Sequence, residues 1–338
     1  MTESAPNRRP ATRVDVARLA GVSTAVVSYV INDGPRPVAP KTRAKVLRAI
    51  EALGYLPNAN ARALKRGTTG MLGLLVPEIL NPYHSEFIDA LDAAAARRDR
   101  MLLLAVTRLD PDREATLLRD LIERGVDGLL LLSHLHDERL YTAATGRTQQ
   151  VLLDRSAPVP GFTAFGTDHV DGARRATEHL VAHGHERIAL VCGPLQPSIV
   201  GLRVEGWQAA LDEHGLVRIP PAITSWSRDG GYTAVEQLLR HPDPPTAILA
   251  GSDLIAIGVL RALRDRGIAV PDDMAVISYD GTPEANYATP RLTTLRQPFE
   301  DIADAAVASL VDQDSGPDHR LFPMEFLAGE SCGCSASS

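Results

Sequence analysis

From Met71 onward, apolar runs recur along the chain: MLGLLVP (71–77), MLLLAV (101–106), GLLLLS (128–133), QVLLD (150–154), RIALVCG (187–193), TAILAG (246–251) and MAVISYD (274–280). Most are separated by segments with helical apolar spacing, such as SEFIDALDAAAARR and ATLLRDLIERG. A strand that is apolar at nearly every position has to be covered on both faces, and alternation with helices supplies that cover. The pattern therefore predicts doubly wound, parallel α/β sheets. It restarts near Thr163–Gly166, and the body is long for one such sheet. We expect an α/β body over 70–338 made of two similar subdomains facing a cleft, roughly 70–165 plus 295–320 and 166–294 plus 321–334. Ligands of such sheets sit outside the carboxyl ends of the strands.

The first 67 residues differ in charge. They hold 12 Lys and Arg against 4 Asp and Glu, a net +8, whereas the other 271 hold 23 against 38, a net −15. A basic head on an acidic body suits a nucleic-acid module joined to a domain that does not bind nucleic acid. Within the head, DVARLAGVSTAVVSYVIN places Val14, Val16, Ala17, Leu19 and Ala20 on one short helix that ends at Gly21. Ser23 is a good N-cap for a second helix, Thr24 to Ile31. A third runs from about Pro40 to Leu53, with Gly54 as its cap. Two short helices joined by a tight glycine turn in a basic segment form a helix-turn-helix over 1–57. Its second helix presents Thr24, Ala25 and Tyr29. Asn58 to Lys65 could form two further turns of helix, too short to be stable alone, and 58–69 reads as a linker ending in the flexible Gly67-Thr68-Thr69-Gly70.

These segments, followed by VAPKTRAKVLRAIEALGYLPNANARALK, VLLDR, GPL, GLRVEGW, GSDLIAIGVLRAL, SYDGTPEA and PRLTTLRQP, together resemble the lactose-repressor/galactose-repressor (LacI/GalR) family. The matches run in order from about Thr12 to about Gly329, nearly the whole chain. The resemblance implies a helix-turn-helix head and a hinge helix on a periplasmic-binding-protein-like body. It further implies a homodimer that represses transcription from a pseudo-palindromic operator under control of a small effector, expected to be a carbohydrate or a derivative.

Carried over residue by residue, the DNA contacts would be Thr12, Ser23, Thr24, Ala25, Ser28 and Tyr29. Tyr29 stands where relatives often have Arg or His, so a bidentate guanine contact is unavailable there. In the hinge, Asn58, Ala61, Leu64 and Lys65 match, with Leu64 as the wedge between central base pairs. The effector would meet Asn81, Tyr83, Asp154, Asp168, Arg203, Trp226, Ser252, Asp280 and Gln297. Arg203 is suited to holding two adjacent oxygens, and the aspartates can accept from vicinal hydroxyls. Ser252 replaces a frequent Asn.

Other chemistry lacks support in the sequence. GESCG (329–333) matches G-x-S-x-G, but a nucleophile of that kind needs an acid and a His downstream, and only five residues follow, none of them His. No G-x-G-x-x-G or P-loop motif is present, so neither an enzyme nor a cofactor is expected. HGHE (183–186) and Cys332-Gly333-Cys334 each fall short of a four-ligand zinc set, so no metal is expected, and we read them as a solvated loop and a frayed tail. The start MTESAPNRRPATR has no apolar core for a secretory signal, no run is long enough for a membrane span, and three cysteines suggest no disulfide framework. The expectation is a cytoplasmic, reduced protein with no membrane partner; a sugar-binding transport component would share the body but not the basic head.

Overall fold

The computed structural model describes residues 9, 11–32, 34, 36–56, 67–133, 148–194, 199–312 and 318–334. The chain divides into two compact units, Met1–Thr69 and Gly70–Ser338.

In the first unit, α1 (Arg13–Ala20), α2 (Thr24–Ile31) and α3 (Pro40–Leu53) enclose a core of Val16, Ala17, Ala20, Val27, Val30, Val46 and Ala49. All seven are small, so the helices approach closely but bury little area. Caps therefore matter. Thr12 and Asp15 form a reciprocal capping box on α1: the Thr12 backbone N–H donates to Asp15 at 2.9 Å and the Thr12 hydroxyl at 2.6 Å, while the Asp15 N–H donates to the Thr12 hydroxyl at 3.4 Å. Gly21, at φ +66°, closes α1 in the left-handed region that a side chain disfavours. Ser23 then accepts from Val26 N–H at 3.3 Å and starts α2. The chain bends by 104° between the two helices. This is the helix-turn-helix expected from the pattern.

The second unit contains two six-stranded sheets. The first is built from β1 (Met71–Val76), β2 (Met101–Val106), β3 (Gly128–Leu131), β4 (Gln149–Leu153), β5 (Thr163–Thr167) and β11 (His319–Phe322), in the order β11-β5-β4-β3-β1-β2. All its pairings are parallel. On one face lie α4 (Pro82–Ala96) and α11 (Phe299–Val311), through Phe87, Leu91, Phe299 and Ile302; α5 (Pro111–Glu123) packs on the other through Leu118 and Leu121.

The second sheet comprises β6 (Ile188–Cys192), β7 (Ala222–Ile223), β8 (Ala247–Ala250), β9 (Ala275–Asp280), β10 (Thr293–Arg296) and β12 (Glu325–Leu327), in the order β12-β10-β9-β8-β6-β7. Only the edge pair β10–β12 is antiparallel. One face is covered by α6 (His169–Ala182) and α7 (Ile199–Glu213), the other by α8 (Arg228–Leu239) and α9 (Asp253–Asp265); α10 (Pro283–Tyr287) follows β9. Among the described residues no single helix is long and apolar enough to cross a membrane.

Six of the seven apolar runs form strands buried at nearly every position, as coverage on both faces requires; MLLLAV instead forms the edge strand β2, where only Ala105 is buried. Two details differ from the pattern reading. Thr163–Gly166, where the second half was expected to begin, instead lies in β5 of the first sheet. The other crossings follow Arg296 and Phe322, within two residues of the expected bounds. The segment read as a frayed tail is fixed: Ser331 and Cys332 are fully buried.

Candidate functional site

In the head, Ser23, Thr24 and Ala25 are exposed at the start of α2, while Ser28 and Tyr29 are half-buried one turn on. This is the end of the helix that faces outward, because Val27 and Val30 turn the opposite side into the core. Asn32 donates through Nδ2 to the Ser28 hydroxyl at 3.2 Å, holding that side chain beside Tyr29. Thr12 is committed to its capping box. Asn58, Ala61, Leu64 and Lys65 lie outside the described residues.

The body's candidate site sits where the chain passes between the sheets, at the carboxyl ends of their strands. Gln297, just past β10, bridges them: its Nε2 donates to Asp280 Oδ1 at 2.9 Å, and its Oε1 accepts from Thr167 Oγ1 at 2.9 Å. Thr167 ends β5 of the first sheet and Asp280 ends β9 of the second. Asp154, immediately after β4, and Asp280 both have left-handed backbones, at φ +57° and +104°. Such strain costs about 1–3 kcal/mol per residue and is concentrated at functional positions.

Arg203, on α7, is 6% exposed. Its Nη1 donates to the Gly251 carbonyl at 2.9 Å, and its Nη2 lies 3.9 Å from Asp280 Oδ1. The guanidinium stacks 4.3 Å from the Tyr279 ring centroid and 5.3 Å from that of Trp226. Trp226 can lie there because residue 193 is glycine: a Cβ at that position would come within 2.1 Å of the indole. Arg203 Nε is buried without a hydrogen-bond partner among the described residues. A buried donor left unmatched is costly, so this one is poised for a bound molecule.

His169, the first residue of α6, was not singled out in the sequence. Its Nε2 lies 3.4 Å from Asp154 Oδ1, and its Nδ1 has no partner among the described residues. Burial lowers its pKa, outweighing the hydrogen bond to Asp154. The imidazole is therefore neutral at pH 7, with Nε2–H directed to the carboxylate and Nδ1 an unused acceptor. Burial, with Asp154 and Asp280 nearby, pushes the Tyr83 phenol well up, so it remains a donor. Burial likewise raises the Asp280 carboxyl well above the usual range, against the pull of Arg203.

Six of the nine nominated residues thus converge: Tyr83, Asp154, Arg203, Trp226, Asp280 and Gln297. The other three act first on the backbone. Asn81 caps α4 by accepting from Tyr83 N–H, Asp168 caps α6 by accepting from Asp171 N–H, and Ser252 caps α9 by accepting from Ile255 N–H. The structure adds His169, Tyr279 and Thr167. Their only signal in the sequence is adjacency to nominated residues, in GTDH and SYD. Asp253 is structural: it accepts from Ser278, Thr294 and both the backbone and hydroxyl of Thr282. Ser331, in the G-x-S-x-G match, donates to the Val276 carbonyl at 2.6 Å and accepts from Thr293 N–H at 2.9 Å; buried and spent on the backbone, it is no nucleophile.

Residues 13–58 match the family model for bacterial regulatory proteins of the lacI family, and 177–332 match a periplasmic binding protein-like domain. The ribose operon repressor of Escherichia coli K12 is 38% identical over 312 residues, covering 91% of this chain and 94% of the relative. The catabolite control protein A of Priestia megaterium is 35% identical over 307 residues, covering 88% of this chain and 90% of the relative. Among solved structures, a lac repressor dimer bound to operator and an anti-inducer has a TM-score of 0.87 at 30% identity, covering 96% of this chain and 99% of that one. A regulator from Enterococcus faecium with bound ribose has a TM-score of 0.71 at 26% identity, covering 77% and 98%. With its helix-turn-helix head, its paired α/β sheets and relatives matched over nearly its full length, the chain belongs to the lacI family of bacterial transcriptional regulators.

Proposed function

We propose that the protein represses transcription as a homodimer on a pseudo-palindromic operator, and that a carbohydrate bound among the strand ends of the body controls it. Two heads on one dimer match two half-sites, so a small and weakly stable head suffices. Ser23, Thr24, Ala25, Ser28 and Tyr29 supply the major-groove contacts. Asn58, Ala61, Leu64 and Lys65 form a hinge in the minor groove, where Leu64 unstacks the central step and bent DNA offsets the cost.

The observation that carries effector control is the Gln297 bridge beside a guanidinium and an imidazole that each keep one unused hydrogen-bonding atom. A polyhydroxylated ligand meets both needs, with hydroxyls accepting from Arg203 Nε and donating to His169 Nδ1, Asp154 and Asp280. Aspartates around one arginine disfavour a phosphorylated or carboxylated ligand, and Trp226 offers a face to a sugar ring. Because the cluster joins both sheets, a ligand there changes the relative stability of two subdomain arrangements. A coupling of about 1–3 kcal/mol would change operator affinity about 5–150-fold. Asn81, Asp168 and Ser252 complete the site by holding the helix starts around it.

The test is selection of the full-length protein against random duplex DNA at two salt concentrations, followed by titration of the enriched sequence with ribose and other neutral sugars. We expect a palindrome with a flexible central step, and an affinity that one sugar alters within that range. Binding that is uniform across sequences and strongly salt-dependent would leave only phosphate contacts and overturn the reading.

A further inference from the structure

The chain carries a second cluster of coordinating side chains, away from the strand-end site. His179 and His183 lie one turn apart at the carboxyl end of α6, on the same face. Cys332 and Cys334 reach them from the end of the chain. His179 Nε2 is 3.4 Å from Cys332 Sγ and 3.4 Å from Cys334 Sγ, and His183 Nε2 is 3.4 Å from Cys334 Sγ. All four ligand atoms fall within 4.8 Å of one another. Neither HGHE nor Cys332-Gly333-Cys334 alone completes a four-ligand set; the fold brings His183 of the first together with both cysteines and with His179, which lies outside both motifs.

We propose that His179, His183, Cys332 and Cys334 form a four-ligand tetrahedral site for Zn2+ that clamps the C-terminal segment onto the end of α6. A tetrahedral zinc with Zn–S of about 2.3 Å and Zn–N of about 2.0 Å has S···N edges of about 3.5 Å, which the three measured separations match. Two thiolates and two imidazoles select zinc over magnesium, calcium or manganese, which prefer oxygen ligands. Four protein ligands leave no open position, so the site is structural rather than catalytic.

The surroundings prepare the ligands. The Thr293 hydroxyl donates to Cys332 Sγ at 3.0 Å, which suits a thiolate, and itself accepts from Gly329 N–H at 2.9 Å. Ser331 is fixed to β9 and β10 through Val276 and Thr293. The His179 ring rests 4.6 Å from the Phe326 ring centroid, which limits its rotation. Gly333, at φ +92°, turns the chain so that both cysteines face the helix. Cys332 is buried, whereas His183 is exposed and Cys334 half-buried, so an ion can enter from the surface.

The experiment uses untagged, full-length protein, reduced and stripped of metal, then exposed to Zn2+ or Co2+ and freed of excess ion. The expected result is one equivalent bound per chain and a higher melting temperature with zinc. With cobalt we expect the intense visible absorption of a tetrahedral ion and a thiolate-to-cobalt charge-transfer band. Cys334→Ser is a near-isosteric change at a half-buried position and His183→Gln alters an exposed one; the double variant should keep its circular dichroism and lose both stoichiometric uptake and the zinc-dependent rise in melting temperature. No uptake by the reduced parent, uptake undiminished in the double variant, or a cobalt spectrum lacking the charge-transfer band would each overturn the proposal.

Discussion

Asp280 occupies one of the most costly environments available to a carboxylate. It is 5% exposed, has a left-handed backbone, and among the described residues its side chain accepts a hydrogen bond from Gln297 alone, with Arg203 Nη2 at 3.9 Å. Burial raises its pKa well above the usual 3.8. The folded state therefore binds the proton more tightly than the unfolded chain. The resulting stability is complete below the usual carboxylate range and is lost as pH rises through the raised value. At pH 7 the side chain is a net cost, one that a ligand hydroxyl would offset. We predict that Asp280→Asn, which keeps an acceptor for Gln297, melts higher than the parent at pH 7 without ligand. That difference should shrink as the pH falls toward 4, and sugar affinity should drop at least tenfold. Thermal denaturation across pH and calorimetric titration check this; a variant that melts lower at pH 7 would show that the chain already satisfies the charge.

Among the elements, the head helices are short and their core is valine and alanine, so their ends carry an unusual share of the stability. Thr12→Ala removes the hydroxyl half of the α1 capping box, leaving only the Thr12 N–H to Asp15 bond, and should destabilise the head by about 0.5–2 kcal/mol, a large fraction for so small a unit. Denaturation of the isolated head followed by circular dichroism measures it, and no change would mean that α1 is held by packing alone. Helices and central strands were legible in the sequence because their signals are local: Gly21, Ser23, Pro40 and Gly54 mark the ends of α1, α2 and α3, and unbroken apolar runs mark buried strands. The short strands β7, β11 and β12 at the sheet edges, and β10 one strand in, were not. Segments such as HRLF and TTLR have no distinctive periodicity and become strands only because a neighbouring strand offers unpaired backbone groups.

For the whole molecule, the opposed charges of head and body and their division into two compact units make them separable. A chain beginning at Gly70 should stay folded and keep its sugar-dependent rise in melting temperature, while its retention on heparin should vanish. Unchanged retention would place the nucleic-acid surface on the acidic body instead. The amino-acid sequence alone determined the two-part plan, the helix-turn-helix, the parallel α/β body and the aspartates and arginine nominated for its site, because charge balance, helix capping and apolar periodicity are set by residues close together in the chain. Only the tertiary structure decided that Thr167, Asp280 and Gln297 join the two sheets, that His169 leaves one ring nitrogen unused, and that His179 and His183 meet Cys332 and Cys334. Those groups lie far apart in the chain, and their meeting depends on strand order and on where the chain crosses between sheets, which no local pattern of residues specifies.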